Sequence, residues 1–254
     1  MIIFDIETGA LPEDQLRAKF DAEYHAPSPP GVFDPSTVKY GQMKDPDKRA
    51  AKLADERAKH EAAVRDFSAN AERAKSEAWQ EFVSKAALSP ITGQVLAIGM
   101  QSMESGKIGI DGDGVDELEL IERFWLKYRQ CREKARRMCG YNIFGFDLPF
   151  LIRRSWLLGV DVPATVFESN GRYLDSRVFV DLMQLWGCGL RDYCKLDELT
   201  KAFGIGGKPV VNGVQVNGSH FAGLWATDRP KAIEYLTNDL FLEAALASRL
   251  GVVA

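Results

Sequence analysis

Gly140-Tyr141-Asn142-Ile143-Phe144-Gly145-Phe146-Asp147 joins a strand to a helix. Upstream, Arg137-Met138-Cys139-Gly140-Tyr141 reads as a short buried strand. Downstream, Leu148 to Leu158 reads as a helix that Gly159 ends. Asp147 stands at the junction, flanked by Phe146 and by Leu148-Pro149-Phe150. An aspartate at a helix start is ordinarily an N-cap, and Asp147 taken alone would be one.

Toward the N-terminus, Ile2-Ile3-Phe4-Asp5-Ile6 reads as a buried strand that runs into Glu7-Thr8-Gly9. Asp5 and Glu7 are two apart, so a strand projects both from one face. Such a pair can hold hard cations, which take oxygen ligands, though an ordinary solvated strand end has the same pattern. Toward the C-terminus, a helix runs from about Arg229 to Leu250. Tyr235 and Asp239, four apart, share one of its faces. Alone they would make a surface hydrogen bond.

The intervening elements set the fold class. Gln94 to Met100 and Lys107 to Ile110 read as strands, about Val115 to Arg132 as an amphipathic helix, Arg177 to Asp181 as a strand and Leu196 to Phe203 as a short helix. Val210 to Val216 carries a hairpin signal, because Asn212-Gly213 suits a type I' turn. Strands come first in pairs and then alternate with helices, which predicts an α/β architecture with a mixed sheet covered on both faces. Residues 9–90 read as a helical and loop insertion within a single domain of residues 1–254. Pro27 to Pro35 is loop by composition. Asp45, Pro46 and Asp47 start a helix that runs to about Leu88, with one break near Ser68-Ala69-Asn70. Only Leu53, Val64, Phe67, Trp79, Phe82 and Val83 give it sizeable contact area.

The composition excludes several classes. The 254 residues are 46% hydrophobic and 27% charged, as in a soluble globular protein. No run approaches the roughly 18 apolar residues of a membrane span, and no secretory signal opens the chain. These features predict a cytoplasmic protein with no membrane partner. Cys131, Cys139, Cys188 and Cys194 lack zinc-site spacing and read as free thiols. A net charge of −4 is not that of a bulk DNA binder. Arg129, Arg132, Lys134, Arg136 and Arg137, with Arg153-Arg154, form the notable basic run, either a phosphate track or a solvated helix end. Gly204 to Pro209 lacks the P-loop spacing, although Lys208 could reach a phosphate.

Singly these features are weak, but they occur in a telling order. Phe4-Asp5-Ile6-Glu7-Thr8, then Gly140 to Asp147, then Tyr235-Leu236-Thr237-Asn238-Asp239 resembles the DEDD superfamily of 3'→5' exonucleases in its tyrosine subclass. The likeness extends to the proofreading domains of family-B DNA polymerases and their stand-alone relatives. It covers residues 1–8 and about 91–254, leaving the insertion outside. The resemblance implies a ribonuclease H-like fold with a five-stranded mixed sheet and helices on both faces. It implies two divalent ions, Mg2+ or Mn2+, held by Asp5, Glu7, Asp147 and Asp239, with Asp5 bridging and Tyr235 orienting the attacking water. Thr8, Asn142, Phe144 and Lys208 become candidate substrate contacts. The implied substrate is the 3' end of single-stranded DNA, with a polymerase or a replication or repair protein as a partner in trans. An exoribonuclease of the same superfamily, or a non-catalytic nucleic-acid-binding module, are the alternatives. Two departures stand out: polymerase domains often carry threonine where this chain has Glu243, and they lack the long insert.

Overall fold

The computed structural model describes residues 1–168, 174–188, 190, 193–207, 210–211, 214–215 and 218–252. In chain order the elements are β1 (Ile2–Ala10), α1 (Glu13–Glu23), α2 (Pro46–Ala86), β2 (Gly93–Ser102), β3 (Ile108–Asp111), α3 (Glu117–Glu133), β4 (Met138–Gly140) and α4 (Asp147–Leu158). Then follow β5 (Phe179–Asp181), α5 (Leu182–Trp186), α6 (Leu196–Ala202), β6 (Val210–Val211), β7 (Val214–Gln215), α7 (Gly218–Thr227) and α8 (Arg229–Arg249).

Five strands form one sheet in the order β3-β2-β1-β4-β5. The β1–β2 and β2–β3 pairs are antiparallel, whereas β1–β4 and β4–β5 are parallel, so the sheet is mixed as expected. Alternation along β1 sorts its side chains between two cores. Ile2, Phe4 and Ile6 pack with Leu120, Phe124, Trp125 and Tyr128 of α3 and with Leu148 and Leu151 of α4. Ile3 faces the other way, into a core with Cys139, Val180, Leu196 and Leu199 of α6, and Leu240 and Leu246 of α8. Helices therefore cover both faces. Each fully buried Leu or Phe contributes about 1.5–3 kcal/mol relative to exposure.

Local chemistry fixes the helix ends. The Asp116 side chain accepts from Glu119 N at 2.8 Å, and that of Asp228 from Lys231 N at 3.3 Å. Gly159 ends α4 with φ of 73°, a left-handed conformation that costs glycine little. Arg154 of α4 is buried and forks onto Glu117 of α3, while Glu117 also accepts from Val95 N of β2.

The chain divides into two compact units, residues 1–12 with 86–254, and residues 13–85. The second contains α1 and α2. Within it Phe20 packs against Trp79 and Phe82, with ring centroids 5.3 and 5.6 Å apart, and the Arg17 guanidinium lies 3.7 Å over the Trp79 ring. Asp45 starts α2 as expected, accepting from Asp47 N at 2.9 Å. The expected break near Ser68-Ala69-Asn70 is absent, because α2 continues through it for 41 residues. Serine and asparagine cost a helix only tenths of a kcal/mol, and Arg73 donates to Asn70 Oδ1 at 3.0 Å.

Three helices escape the sequence pattern: α1, the five-residue α5, and α7. Gly218 and Gly223 weaken the helical signal of α7. Burial of Phe221 and Trp225, stacked with centroids 5.4 Å apart, offsets that cost. The expected hairpin is present as the antiparallel β6–β7 pair, while Asn212 and Gly213 lie outside the described residues, as does Lys208. Among the described residues no helix is long and apolar enough to cross a membrane.

Candidate active site

Asp5 and Glu7 lie on the same face of β1 as Ile3, toward α8. The β1–β2 register shifts between Glu7 and Thr8, where Glu7 pairs Ala97 and Thr8 pairs Val95. Leu96 is thus the extra residue of a β-bulge, and bulges bend a strand and re-aim its side chains. Asp5 pairs with Gly99. A Cβ at Gly99 would meet Leu240 Cδ1 at 2.9 Å and Leu236 Cγ at 3.0 Å, so the bare glycine lets α8 settle onto the sheet. That approach brings Asp239 over β1. One carboxylate oxygen from each of Asp5, Glu7 and Asp239 lies within 4.8 Å of the others.

Asp147 arrives from the opposite side. It does not cap α4: Phe146 is the capping residue, and it makes no side-chain cap bond. Strand β4 pairs with β1 only at Ile2 and Ile3, which leaves the Ile6 amide without a strand partner on that side. Asp147 Oδ1 fills this position by accepting from Ile6 N at 3.2 Å, and the Asp147 carboxyl lies within interaction range of the Asp5 side chain.

Asp5, Asp147 and Asp239 line one cavity of about 860 Å³, together with Asn142, Phe146, Tyr193 and Glu243. Acidic side chains dominate its charged lining. Burial raises the Asp147 pKa from 3.8 to about 7, although the Ile6 N–H opposes the shift. Burial, followed by the charges of Asp5, Asp147 and Asp239, raises Glu243 well above the usual carboxylate range. Burial, then Asp239 and Glu7, pushes the Tyr235 phenol up, so it stays protonated at any ordinary pH. An all-oxygen donor set of this charge suits a hard divalent cation such as magnesium or manganese. Oxygens across a magnesium ion are about 4.2 Å apart, so the cluster needs little contraction to share one.

The family described as "Predicted 3'-5' exonuclease related to the exonuclease domain of PolB" matches residues 80–240. The chain belongs to this family. Among solved structures, the family B DNA polymerase from the hyperthermophilic archaeon Pyrobaculum calidifontis is similar, with a TM-score of 0.50 and 22% identity. That match covers 66% of this chain and 23% of the polymerase, so the chain spans under a quarter of its relative. The likeness shows the shared fold, the ribonuclease H-like sheet of a PolB exonuclease domain. No curated protein matches the chain.

Within this PolB-type exonuclease domain the sequence-picked residues divide. Asp5, Glu7, Asp147 and Asp239 converge, and Tyr235 lies beside Asp239 and hydrogen-bonds it. Asn142 lines the cavity, at a left-handed φ of 60°. Thr8 is 8% exposed and donates its hydroxyl to Ala87 O at 2.8 Å, so its side chain is already engaged. Phe144 packs against the core, and it is Phe146 that borders the cavity. Within the basic run, Arg129 pairs with Asp161, Arg132 with Glu168 and Asp175, Arg136 with Glu104, and buried Arg154 with Glu117. Acids placed to neutralise them are remote in sequence, which hid the pairing.

Asp181 and Glu243 were not among the sequence-picked site residues. Asp181 accepts from the amides of Asn142 and Phe144 at 3.0 and 2.9 Å and from Met183 at 2.9 Å, holding the turn before Asp147. Its one signal was an acid closing an apolar strand. Glu243 betrayed itself only as the departure from threonine.

Proposed function

We propose that the chain is a 3'→5' exonuclease that releases nucleoside 5'-monophosphates from single-stranded DNA with the help of two divalent cations. The observation that carries this is the convergence of Asp5, Glu7 and Asp239, from the first strand and the last helix, with Asp147 against them. Asp5, Glu7 and Asp239 would hold one cation, and Asp5 with Asp147 the other. Two such ions stabilise the attacking and leaving oxygens of an in-line displacement.

The chain's own groups do the rest. Tyr235 keeps its proton, so it is a hydrogen-bonding guide for the attacking water and not a general base. Asn142 borders the same space from a turn braced by Asp181. Phe146 and the exposed Tyr193 offer aromatic faces on which unpaired bases can stack, a sequence-tolerant mode of binding. We read residues 9–90 as an insertion in a single exonuclease domain, acting as a buttress or protein contact. A polymerase or repair protein would meet it in trans.

The test is trimming of a 3'-labelled and a 5'-labelled single-stranded DNA in magnesium or manganese. Trimming from the 3' end, abolished by chelator and by Asp5→Asn or Asp239→Asn in folded protein, is the expected result. Attack from the 5' end, or full activity in those variants, would overturn the assignment. RNA of the same sequence reports the sugar preference.

A further inference from the structure

Helix α8 carries a carboxylate that the DEDD pattern does not include. Glu243 lies one turn beyond Asp239 and is 2% exposed. Its Oε1 accepts from Tyr141 N at 3.2 Å, which ties α8 to the turn bearing Asn142. Its Oε2 is buried and has no hydrogen-bond partner among the described residues. Glu243 nevertheless lines the same cavity as Asp5, Asp147 and Asp239. A buried unpartnered oxygen is rare in native proteins, and an ion or ordered water is a usual explanation. The alternative, a peg for Tyr141, uses only one oxygen and leaves Oε2 unexplained.

We propose that Glu243 Oε2 is a further anionic contact for the divalent cations that Asp5, Glu7 and Asp239 gather. It stands outside the tight three-oxygen cluster, so the contact is an outer one, bridged by water. This rests on the cation-dependent reading of the site. Outer partners of this kind typically change metal affinity by about 10–100-fold. Glu243→Gln keeps an oxygen to accept from Tyr141 N–H while removing the charge, so it separates the two roles.

The experiment is calorimetric titration of the full chain with Mn2+, in wild type and Glu243→Gln, with circular dichroism as the check on folding. The expected result is about tenfold or greater loss of Mn2+ affinity in the variant. Affinity within twofold of wild type would overturn the proposal and leave the exonuclease reading standing. Absence of Mn2+ binding to wild type would overturn both. Glu243→Thr, which also removes the anion, carries the same expectation if the glutamine chain does not fold.

Discussion

Asp147 shows how burial changes what a residue means. Its sequence position fits a helix cap, yet the side chain turns to the Ile6 amide and to Asp5. Its pKa of about 7 in the folded chain lies above the ordinary 3.8, so the native state holds a proton that the unfolded chain releases. The Asp147 contribution to stability of the cation-free protein is therefore fully present below about pH 4 and is lost as pH rises through 7. In chelator, Asp147→Asn is expected to flatten that decline and to melt above wild type at pH 8. Parallel melting curves from pH 4 to 8.5 would contradict it. Tyr235→Phe removes one hydroxyl and keeps the ring packed on Phe221. Trimming should fall about a hundredfold with Mn2+ affinity intact, since the phenol guides water and is no ligand. Equal losses in both would place Tyr235 among the cation contacts instead.

At the scale of elements, the site depends on how closely α8 approaches β1 and β2. Gly99, opposite Asp5, sets that distance through Leu236 and Leu240. Gly99→Val should cost about 1–3 kcal/mol in urea unfolding and weaken Mn2+ binding together with stability. Weakened stability with unchanged Mn2+ affinity would mean that the helix re-seats without moving Asp239. Helix α2 offers a second test. Because it is continuous through Ala69, Ala69→Pro should visibly reduce the helical signal, as mid-helix proline costs about 3 kcal/mol or more. A break at that point would make the substitution harmless.

For the whole molecule, cation binding and folding should be linked. Native carboxylates that repel one another gain a partner that the unfolded chain cannot organise. At a cation concentration a hundred times the dissociation constant, the gain is about 2.7 kcal/mol. Mn2+ should thus raise the melting temperature of wild type, and chelator should reverse it. Asp5→Asn should abolish most of the rise; an equal rise in that variant would place the stabilising ion elsewhere.

Much of this was legible in the order of residues. The strand at Ile2, the strand–helix junction at Asp147 and the long final helix follow from apolar periodicity and turn residues. These are local properties, so the mixed sheet and the acids it carries could be read directly. The sequence by itself determined which carboxylates exist, and on which element and face each sits. Only the tertiary structure decided what they meet: that β4 stops short and leaves Ile6 N–H to Asp147, that Gly99 admits α8, that Arg129, Arg132, Arg136 and Arg154 find acidic partners, and that Glu243 borders the cavity. Those outcomes depend on contacts between residues up to 141 positions apart. Burial, partner and charge there are set by packing across the sheet, a property that no local pattern of residue types encodes.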